Sequence, residues 1–446
     1  MSKKEENAEQ KVRFLDGFDR NYLVLTAILL VHIIGFHALG VANVGRVAIG
    51  GVDPVGYYAY LPSLFFDGDL DFENEYRNLH GFGWASPDQE RTRTGKLPNP
   101  YSVGVALFWF PMFLVAHLIC ELSGIPANGY SAPYHTMIYL GNVLYGFLGM
   151  LLSYRLASRI FDKTNALLAT ALVWLASGTL YYLLPIVPVS HTVSMFSVTV
   201  FLLYWYQKRD RETYAKWGVL GLLGGLAALV RWQNALFMLL PGVPELFRLA
   251  KRQPLEDSKK HLLNLVCMSV VFVVSFFPQM AAWKVLFGSF VTVPQGGSFV
   301  NWFKPDLLDV LFSTRHGLIT WTPVAAFAIA GLACFPKKDR RLALYLSLTL
   351  VLQIYVNAIA GWVGWSFSMR RFINCTPILV IGLAALIERV RPRLKLAIPL
   401  VAGAALVLWN FLFVLQYYAG MIPRDDYLTY DQLVTQKFLV LISLFG

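Results

Sequence analysis

The first apolar run of the chain is NYLVLTAILLVHIIGFHAL, at residues 21–39. About 20 apolar residues are enough for a helix to cross the hydrocarbon core of a bilayer. No small-residue cleavage site follows the run, so the sequence predicts a transmembrane helix here and not a signal peptide. The composition agrees, because 56% of the 446 residues are apolar and 15% are charged, whereas soluble chains carry about 25% charged residues. The composition therefore excludes a soluble enzyme, a nucleic-acid-binding protein and a disordered scaffold.

Further apolar runs follow the first one along the chain. They begin near His135, Asn165, His191, Gly218, Trp232, Leu262, Gly317, Leu342, Phe372 and Lys395. The sequence therefore predicts an all-α polytopic membrane protein with about 11 transmembrane helices. We expect a cytoplasmic tail at residues 1–20, a membrane domain at 21–416 and a short extracytoplasmic segment at 417–446.

The distribution of basic residues sets the predicted orientation. If residues 102–122 form a re-entrant or interfacial hairpin on the outer face, 25 of the 38 Lys and Arg residues lie in cytoplasmic segments. Such an enrichment is what the positive-inside rule describes. Pro111, His117 and Glu121 also suit a membrane span poorly, which favours the hairpin. The net charge of +11 is thus interpreted as a signal of topology, with the N-terminus inside and a first outer loop at residues 41–134.

This first outer loop contains GGVDPVGYYAYLPSLFFDGDLDFENEY at residues 50–76. Asp53 precedes Pro54, so its side chain is in a position to cap an amphipathic helix over residues 54–66 that lies on the membrane. In a second interpretation, Asp53 is a functional carboxylate in a site lined by Tyr57, Tyr58 and Tyr60. The sequence leaves both interpretations open.

An acidic stretch, DGDLDFENE at residues 67–75, follows the predicted helix. Its spacing is similar to that of a calcium loop, but the rest of the EF-hand pattern is missing, so a solvated turn is favoured over a metal site. Asp67 and Asp69 stay candidates for a second proton transfer or for binding an acceptor sugar. His191, at the outer start of a span, is either a substrate-binding residue or a hydrogen-bonded structural one. We expect no metal site.

A few basic residues lie outside the cytoplasmic segments. Arg231, in GLAALVRWQNALF, lies between two short apolar halves, where an ionisable residue indicates a functional site. Lys96, Arg315, Arg370 and Arg371 are predicted to face outward. Each could be a snorkelling anchor. Their convergence on one pocket would instead suit a phosphate or pyrophosphate attached to a lipid.

The order of these elements resembles the GT-C superfamily of membrane glycosyltransferases, in the branch that includes protein O-mannosyltransferases and aminoarabinose transferases. Four stretches carry the resemblance: GVDPVGYYAYLPSLFFDGDLD (51–71), KLPNPYSVGVALFWF (96–110), LLSYRLASRIFDKTNALLATALVWLAS (151–177) and GLLGGLAALVRWQNALFMLLP (221–241). Only Asp53 in the first stretch is a specific motif. Family members often have Asp-Glu at this place, whereas Pro54 follows here.

The resemblance implies an inverting transfer of a sugar from a polyprenyl-phosphate donor to a hydroxyl of a lipid, glycan or protein. It places the reaction at the outer face of a membrane, here a bacterial inner membrane, with membrane lipids and no nucleic acid as partners. Asp53 would be the general base and the outer cations would bind the lipid phosphate, without a metal or other cofactor. The binding candidates are Arg371, Arg370, Arg231, Arg315, Lys96, Tyr57, Tyr58, Asp67, Asp69 and His191. A transporter or flippase of lipid-linked sugars and a non-catalytic scaffold are the alternatives.

Overall fold

The structure is a computed structural model that describes residues 19–39, 48–183, 188–210, 213–251, 254–335, 339–361, 364, 366–394 and 397–445. In chain order its helices are α1 (Arg20–Ala38), α2 (Val52–Tyr58), α3 (Tyr60–Pro62), α4 (Glu73–Asn78), α5 (Val103–Ser123), α6 (Ala132–Ala157), α7 (Lys163–Leu175), α8 (Thr179–Leu183), α9 (Ser190–Lys208), α10 (Tyr214–Val230), α11 (Leu239–Ala250), α12 (Leu255–Phe287), α13 (Leu307–Phe312), α14 (Leu318–Trp321), α15 (Val324–Leu332), α16 (Arg340–Ile359), α17 (Thr376–Val390), α18 (Ala397–Tyr418), α19 (Tyr430–Leu433) and α20 (Gln436–Phe445). A π turn at Ser63–Asp67 and 3-10 turns at Gly83–Ala85, Trp232–Met238, Gly297–Phe299 and Arg370–Cys375 lie between them.

Among the described residues, 7 helices are long and apolar enough to cross a membrane. They are α1, α5, α6, α12, α16, the helical stretch over residues 370–390 and most of α18. The prediction of an all-α membrane protein is therefore confirmed. The predicted number of about 11 spans is not confirmed, because several apolar runs form shorter helices. The runs near Gly218 and Trp232, for example, form α10, with 17 residues, then a 3-10 turn and α11, with 12 residues.

The chain forms one continuous helix, α5, over Val103–Ser123, so the prediction of a hairpin at residues 102–122 was wrong. The polar residues that suggested a hairpin are accommodated within or at the end of this helix. The His117 imidazole hydrogen-bonds to the Tyr134 hydroxyl at 2.6 Å. Glu121 is exposed in the last turn, and Pro111 is retained inside the helix. A single proline removes one backbone hydrogen bond of a helix, and prolines of this kind are tolerated in membrane helices.

Several turns that contain basic residues lie together at one end of the helix bundle. Asp19, before α1, accepts a hydrogen bond from the Tyr154 hydroxyl at 2.7 Å and pairs with Lys163 Nζ at 3.2 Å. The start of α1, the end of α6 and the start of α7 therefore lie together. Arg159, Lys208 and Arg209 line a groove near this end. Ser190 lies at the other end of α9, a helix of 19 residues.

Helices α15 and α17 pack with their backbones in direct contact. A Cβ atom added to Gly331 would lie 1.9 Å from the Gly382 carbonyl oxygen, and one added to Gly382 would lie 2.2 Å from the Ala328 carbonyl oxygen. Membrane helices approach this closely where small residues meet, because van der Waals packing replaces the hydrophobic effect as the driving force. This contact holds α17, and with it the turn that carries Arg370 and Arg371, in place.

We expect Gly331→Ala to lower the free energy of unfolding by about 1–3 kcal/mol, because the added methyl group overlaps a backbone atom that cannot rotate away. The measurement is the thermal midpoint of the detergent-purified protein. Gly35→Ala is the matched control, since a Cβ atom there meets nothing within 4 Å. Equal midpoints for the two variants would contradict the close packing of α15 and α17.

Candidate active site

A cavity of about 820 Å³ lies beside the first-loop helix α2. Its lining contains both acidic and basic side chains. The charged residues of the lining are Asp53, Asp425, Arg231, Arg370, Arg371 and Arg424. A cavity of this size with convergent polar groups is where a substrate site is expected.

Asp53 lies in the first turn of α2, and its carboxylate points toward partners at the cavity. Arg370 Nη1 lies 2.9 Å from Asp53 Oδ2. The Tyr101 hydroxyl donates a hydrogen bond to Asp53 Oδ1 at 2.8 Å. The N-cap of α2 is Gly51, with no side-chain cap, so the capping interpretation of Asp53 was wrong. Both carboxylate oxygens of Asp53 bind side chains, those of Arg370 and Tyr101, and not the backbone of α2.

The stretch KLPNPY positions Tyr101 against Asp53. The Asn99 side chain donates to the Gly56 carbonyl oxygen at 2.9 Å and accepts from the Tyr101 amide at 3.1 Å. A Cβ atom on Gly56 would lie 2.0 Å from the Tyr101 ring, so only glycine allows the ring to cross α2 here. Burial, and next the Asp53 charge, raise the pKa of Tyr101 well above its ordinary value. The phenol therefore stays protonated and donates to the carboxylate.

Arg231 begins a polar cluster where α10 ends. Its Nη1 atom lies 3.1 Å from both Ser190 Oγ and His191 Nδ1, and its Nη2 donates to Gln233 Oε1 at 3.4 Å. His191 is 3% exposed and lies behind the arginine. Because an arginine has five donors, these contacts fix the Arg231 guanidinium and still leave donors for a ligand in the cavity.

Arg371 is held beside this cluster by its backbone and its side chain. Gln233 Nε2 donates to the Arg371 carbonyl oxygen at 3.1 Å, so one glutamine contacts both arginines. The Arg371 guanidinium donates to the Gly361 carbonyl oxygen and lies 5.8 Å from the centre of the Phe299 ring. Neither Arg231 nor Arg371 has a carboxylate partner among the described residues. Their positive charge is therefore available to an anion.

The chain is similar to known proteins both in part of its sequence and in its structure. The family model for dolichyl-phosphate-mannose-protein mannosyltransferases matches residues 134–277. The crystal structure of ArnT from Cupriavidus metallidurans bound to undecaprenyl phosphate aligns with a TM-score of 0.57 and 16% identity, over 95% of this chain and 69% of ArnT. The apo structure of the same ArnT aligns with a TM-score of 0.51 and 15% identity, over 94% of this chain and 73% of ArnT. No curated protein sequence matches the chain.

The chain has the GT-C fold. The resemblance to GT-C glycosyltransferases noted in the sequence is confirmed by these matches. The aligned structures cover more than nine tenths of this chain, so the GT-C architecture includes the cavity, the first loop and the helices behind them.

The GT-C cavity brings together five of the residues chosen from the sequence. They are Asp53, Tyr57, Arg231, Arg370 and Arg371. Tyr101, Arg424 and Asp425 also line the cavity and were missed. Tyr101 belongs to the quoted KLPNPY stretch, which could have indicated it. No signal in the sequence distinguishes Arg424 or Asp425, since both follow the last long apolar run.

Six other chosen residues do not line the cavity. Two of them bind neighbouring acidic side chains: Lys96 Nζ lies 3.6 Å from Asp71 Oδ2, and Arg315 Nη2 lies 2.7 Å from Asp425 Oδ1. Tyr58 donates its hydroxyl to the Gly129 carbonyl oxygen. His191 supports Arg231 from behind the cavity wall.

Asp67 and Asp69 organise the acidic turn of the first loop. Asp67 Oδ2 accepts from the Asn74 side chain at 2.9 Å, and Asp69 Oδ1 accepts from the Asp71 amide at 2.9 Å. Within the part of the chain that the structure describes, no three His, Cys, Asp or Glu residues are grouped as metal ligands. These two aspartates thus stabilise the loop that carries Asp53.

Glu75, next to this turn, is buried and its Oε1 accepts from the Tyr130 hydroxyl at 3.3 Å. Burial, together with the nearby Asp67 carboxyl, raises the pKa of Glu75 from its ordinary 4.5 to about 8. The folded protein therefore holds a proton on Glu75 that the unfolded chain releases between these two pH values. We expect the contribution of Glu75 to stability to be complete at low pH and to be lost as the pH rises from 4.5 to about 8.

The Glu75→Gln variant should lose this component of the pH dependence, because glutamine does not titrate. The measurement is the thermal midpoint at pH 5 and at pH 9 in the same detergent. The exposed Glu90→Gln variant is the control and should retain the wild-type pH dependence. An unchanged slope in Glu75→Gln would contradict protonation of Glu75 in the folded protein.

Proposed function

We propose that the chain is an inverting glycosyltransferase that moves a sugar from a polyprenyl-phosphate donor to an acceptor hydroxyl. The observation that carries the proposal is one cavity with an accessible carboxylate, Asp53, and two arginines, Arg231 and Arg371, that have no carboxylate partner among the described residues. Transfer to a hydroxyl needs a proton acceptor on one reactant and positive charge on the other, and the cavity offers both.

Asp53 acts as the general base in this proposal. Its carboxylate takes the acceptor proton while the acceptor oxygen forms a bond to the anomeric carbon. The bond from that carbon to the phosphate oxygen breaks, and its electron pair leaves with the lipid phosphate. Because the acceptor attacks the face opposite the leaving phosphate, the anomeric centre is inverted. An ionised carboxylate has about four acceptor positions, and Arg370 and Tyr101 occupy one on each oxygen. Room for the acceptor hydroxyl remains.

Arg231 and Arg371 stabilise the leaving phosphate. Negative charge grows on the phosphate as the sugar departs, and fixed donors in a site of low dielectric stabilise that charge without reorganisation. Ser190, His191 and Gln233 hold Arg231 before substrate arrives. Because arginines supply the positive charge, the proposal includes transfer without a metal ion, and activity should persist in EDTA.

The nature of the carrier and the side of the membrane are part of the proposal. ArnT, whose fold this chain shares, has been crystallised with undecaprenyl phosphate, which supports a polyprenyl-phosphate carrier. The cavity lies beside Ser190 at the start of α9, whereas Lys208 at its other end lies among the basic turns. Basic residues concentrate on the cytoplasmic side, so we place the cavity at the outer face of the inner membrane.

A transporter of lipid-linked sugars is less well supported. Its polar pathway would have to use the amide side chains within the helix bundle, but these bind one another. Gln233 and Gln353 form two hydrogen bonds at 3.2 and 3.0 Å, and Asn374 donates to Asn234 at 2.8 Å. Gln353, Asn234 and Asn374 are at most 2% exposed. They therefore form a packed network behind the cavity.

The test uses the purified chain in nanodiscs with undecaprenyl-phosphate monosaccharides as donors and a membrane lipid and glycan extract as acceptor. We expect release of free undecaprenyl phosphate, measured by mass spectrometry, together with sugar in the acceptor fraction. Movement of intact donor between leaflets without cleavage would instead support the transporter. Absence of both undecaprenyl phosphate binding and donor cleavage would contradict the proposed function.

A further inference from the structure

The segment after α18 folds back over the cavity and adds a wall to it. Ile422 and Leu428 are 3% and 4% exposed, so they anchor the segment in the protein. Asp425 pairs with Arg315 at 2.7 Å, and the Arg424 carbonyl oxygen accepts from the Ser366 amide at 3.4 Å. Arg424 and Asp425 both line the cavity. The C-terminal segment is thus part of the site.

Arg424 is exposed toward the cavity, and its guanidinium lies over a tyrosine of the lining. The guanidinium carbon lies 5.5 Å from the centre of the Tyr417 ring, and Tyr417 packs edge-on against Tyr181 with ring centres 5.4 Å apart. Both tyrosines line the cavity. Among the described residues, no carboxylate lies within ion-pair distance of Arg424, whose neighbour Asp425 is engaged by Arg315.

The cavity lining has more arginines without a carboxylate partner among the described residues than one donor phosphate requires. Arg370 is neutralised by Asp53, and Asp425 is neutralised by Arg315. Within the described part of the chain, Arg231, Arg371 and Arg424 then remain without a carboxylate partner. A sugar-phospho-lipid is a phosphodiester with a single negative charge, and one phosphate is satisfied by the pair of arginines that Gln233 links. Arg424 is therefore not needed to bind the donor phosphate.

We propose that Arg424 binds an anionic group on the acceptor, so that the second substrate is a phosphorylated or carboxylated sugar. This inference rests on the proposed function and extends it to the class of acceptor. The acceptor then lies between two fixed points, with its hydroxyl at Asp53 and its anion at Arg424. An arginine binds phosphate and carboxylate alike through paired hydrogen bonds, so both anions belong to the proposed class.

The test measures sugar binding to the full chain in nanodiscs saturated with undecaprenyl phosphate. The probes are glucose 6-phosphate, glucuronate and neutral glucose, and the readout is the dissociation constant from native mass spectrometry or calorimetry. We expect one or both anionic sugars to bind about tenfold more tightly than glucose, and the two anionic probes distinguish a phosphate from a carboxylate. Arg424→Gln should abolish the preference, Arg424→Lys should restore part of it, and the exposed Lys304→Gln control should retain it.

Two results would overturn the inference. One is equal binding of anionic and neutral sugars to the wild-type chain. The other is a loss of undecaprenyl phosphate affinity in Arg424→Gln, which would assign Arg424 to the donor phosphate. A chain that binds no undecaprenyl phosphate, yet still prefers anionic sugars through Arg424, would support the anion site and contradict the proposed donor. The two proposals therefore fail in different ways.

Discussion

Replacing Asp53 by asparagine is expected to lower the rate of sugar transfer by about 10²–10⁴-fold, which is the usual contribution of a positioned general base. Asparagine is nearly isosteric and still accepts a hydrogen bond from Tyr101, but it cannot take a proton from the acceptor. The measurement is the initial rate of undecaprenyl phosphate release at saturating donor.

The controls for Asp53→Asn separate chemistry from binding. The substitution leaves Arg370 without its carboxylate, so the cavity becomes more positive and undecaprenyl phosphate affinity should be retained or increased. Asp69→Asn removes a carboxylate of the same loop that does not line the cavity, and its transfer rate should stay near wild type. Near-normal turnover by Asp53→Asn would refute the assignment of the base.

Replacing Arg231 by glutamine should reduce kcat/KM for the donor by about 10²–10³-fold, the range observed when one preorganised donor to a developing oxyanion is removed. Arg231 is held by three side chains before substrate arrives, so its charge acts without reorganisation. Arg231→Lys should recover only part of the loss, because an ammonium cannot make the same paired hydrogen bonds to a phosphate.

Two further measurements accompany Arg231→Gln: its affinity for undecaprenyl phosphate, and the same assays on a variant of an exposed arginine. Undecaprenyl phosphate affinity should fall together with kcat/KM, since the arginine binds the leaving group itself. Arg77→Gln removes a surface arginine whose side chain is 61% exposed and pairs with Glu73, so both quantities should be unchanged. Wild-type kcat/KM in Arg231→Gln would contradict a role for Arg231 at the phosphate.

The site was predictable from the sequence where a single residue broke a strong pattern. Arg231 is a cation between two apolar halves, and the structure places it at the end of α10 with its guanidinium beside the cavity. Asp53 carried the family resemblance, and it lies opposite that arginine in the same cavity. Arg231 was identified because an ionisable group at membrane depth is costly unless it has a function, whereas Asp53 was identified through the resemblance.

The wrong predictions concerned local geometry that depends on tertiary partners. Asp53 was given capping as an alternative because Asp-Pro is a helix-start pattern, yet Tyr101 and Arg370 engage its oxygens. Residues 102–122 were assigned to a hairpin mainly from the distribution of basic residues, with His117 and Glu121 as added support. In the structure the Tyr134 hydroxyl binds His117, and Glu121 lies in the last turn of a continuous helix. Neither partner lies close enough in the sequence to be anticipated.

The sequence by itself determined the class of this protein and the side chains available to it. Long apolar runs require helices in a bilayer, because no water is present there to satisfy backbone groups. The low fraction of charge left few polar residues from which to build a site. These constraints depend on local sequence or on composition, so they can be inferred without knowledge of the tertiary structure.

Only the tertiary structure decided which charges neutralise each other. Arg370 pairs with Asp53 across more than 300 residues, and Arg315 pairs with Asp425, which frees Arg424 for the cavity. Ion pairs act over a few ångströms and depend on the packing of helices that are distant in sequence. The sequence therefore set which arginines the chain offers, and the fold determined that Arg231, Arg371 and Arg424 have no carboxylate partner among the residues that the structure describes.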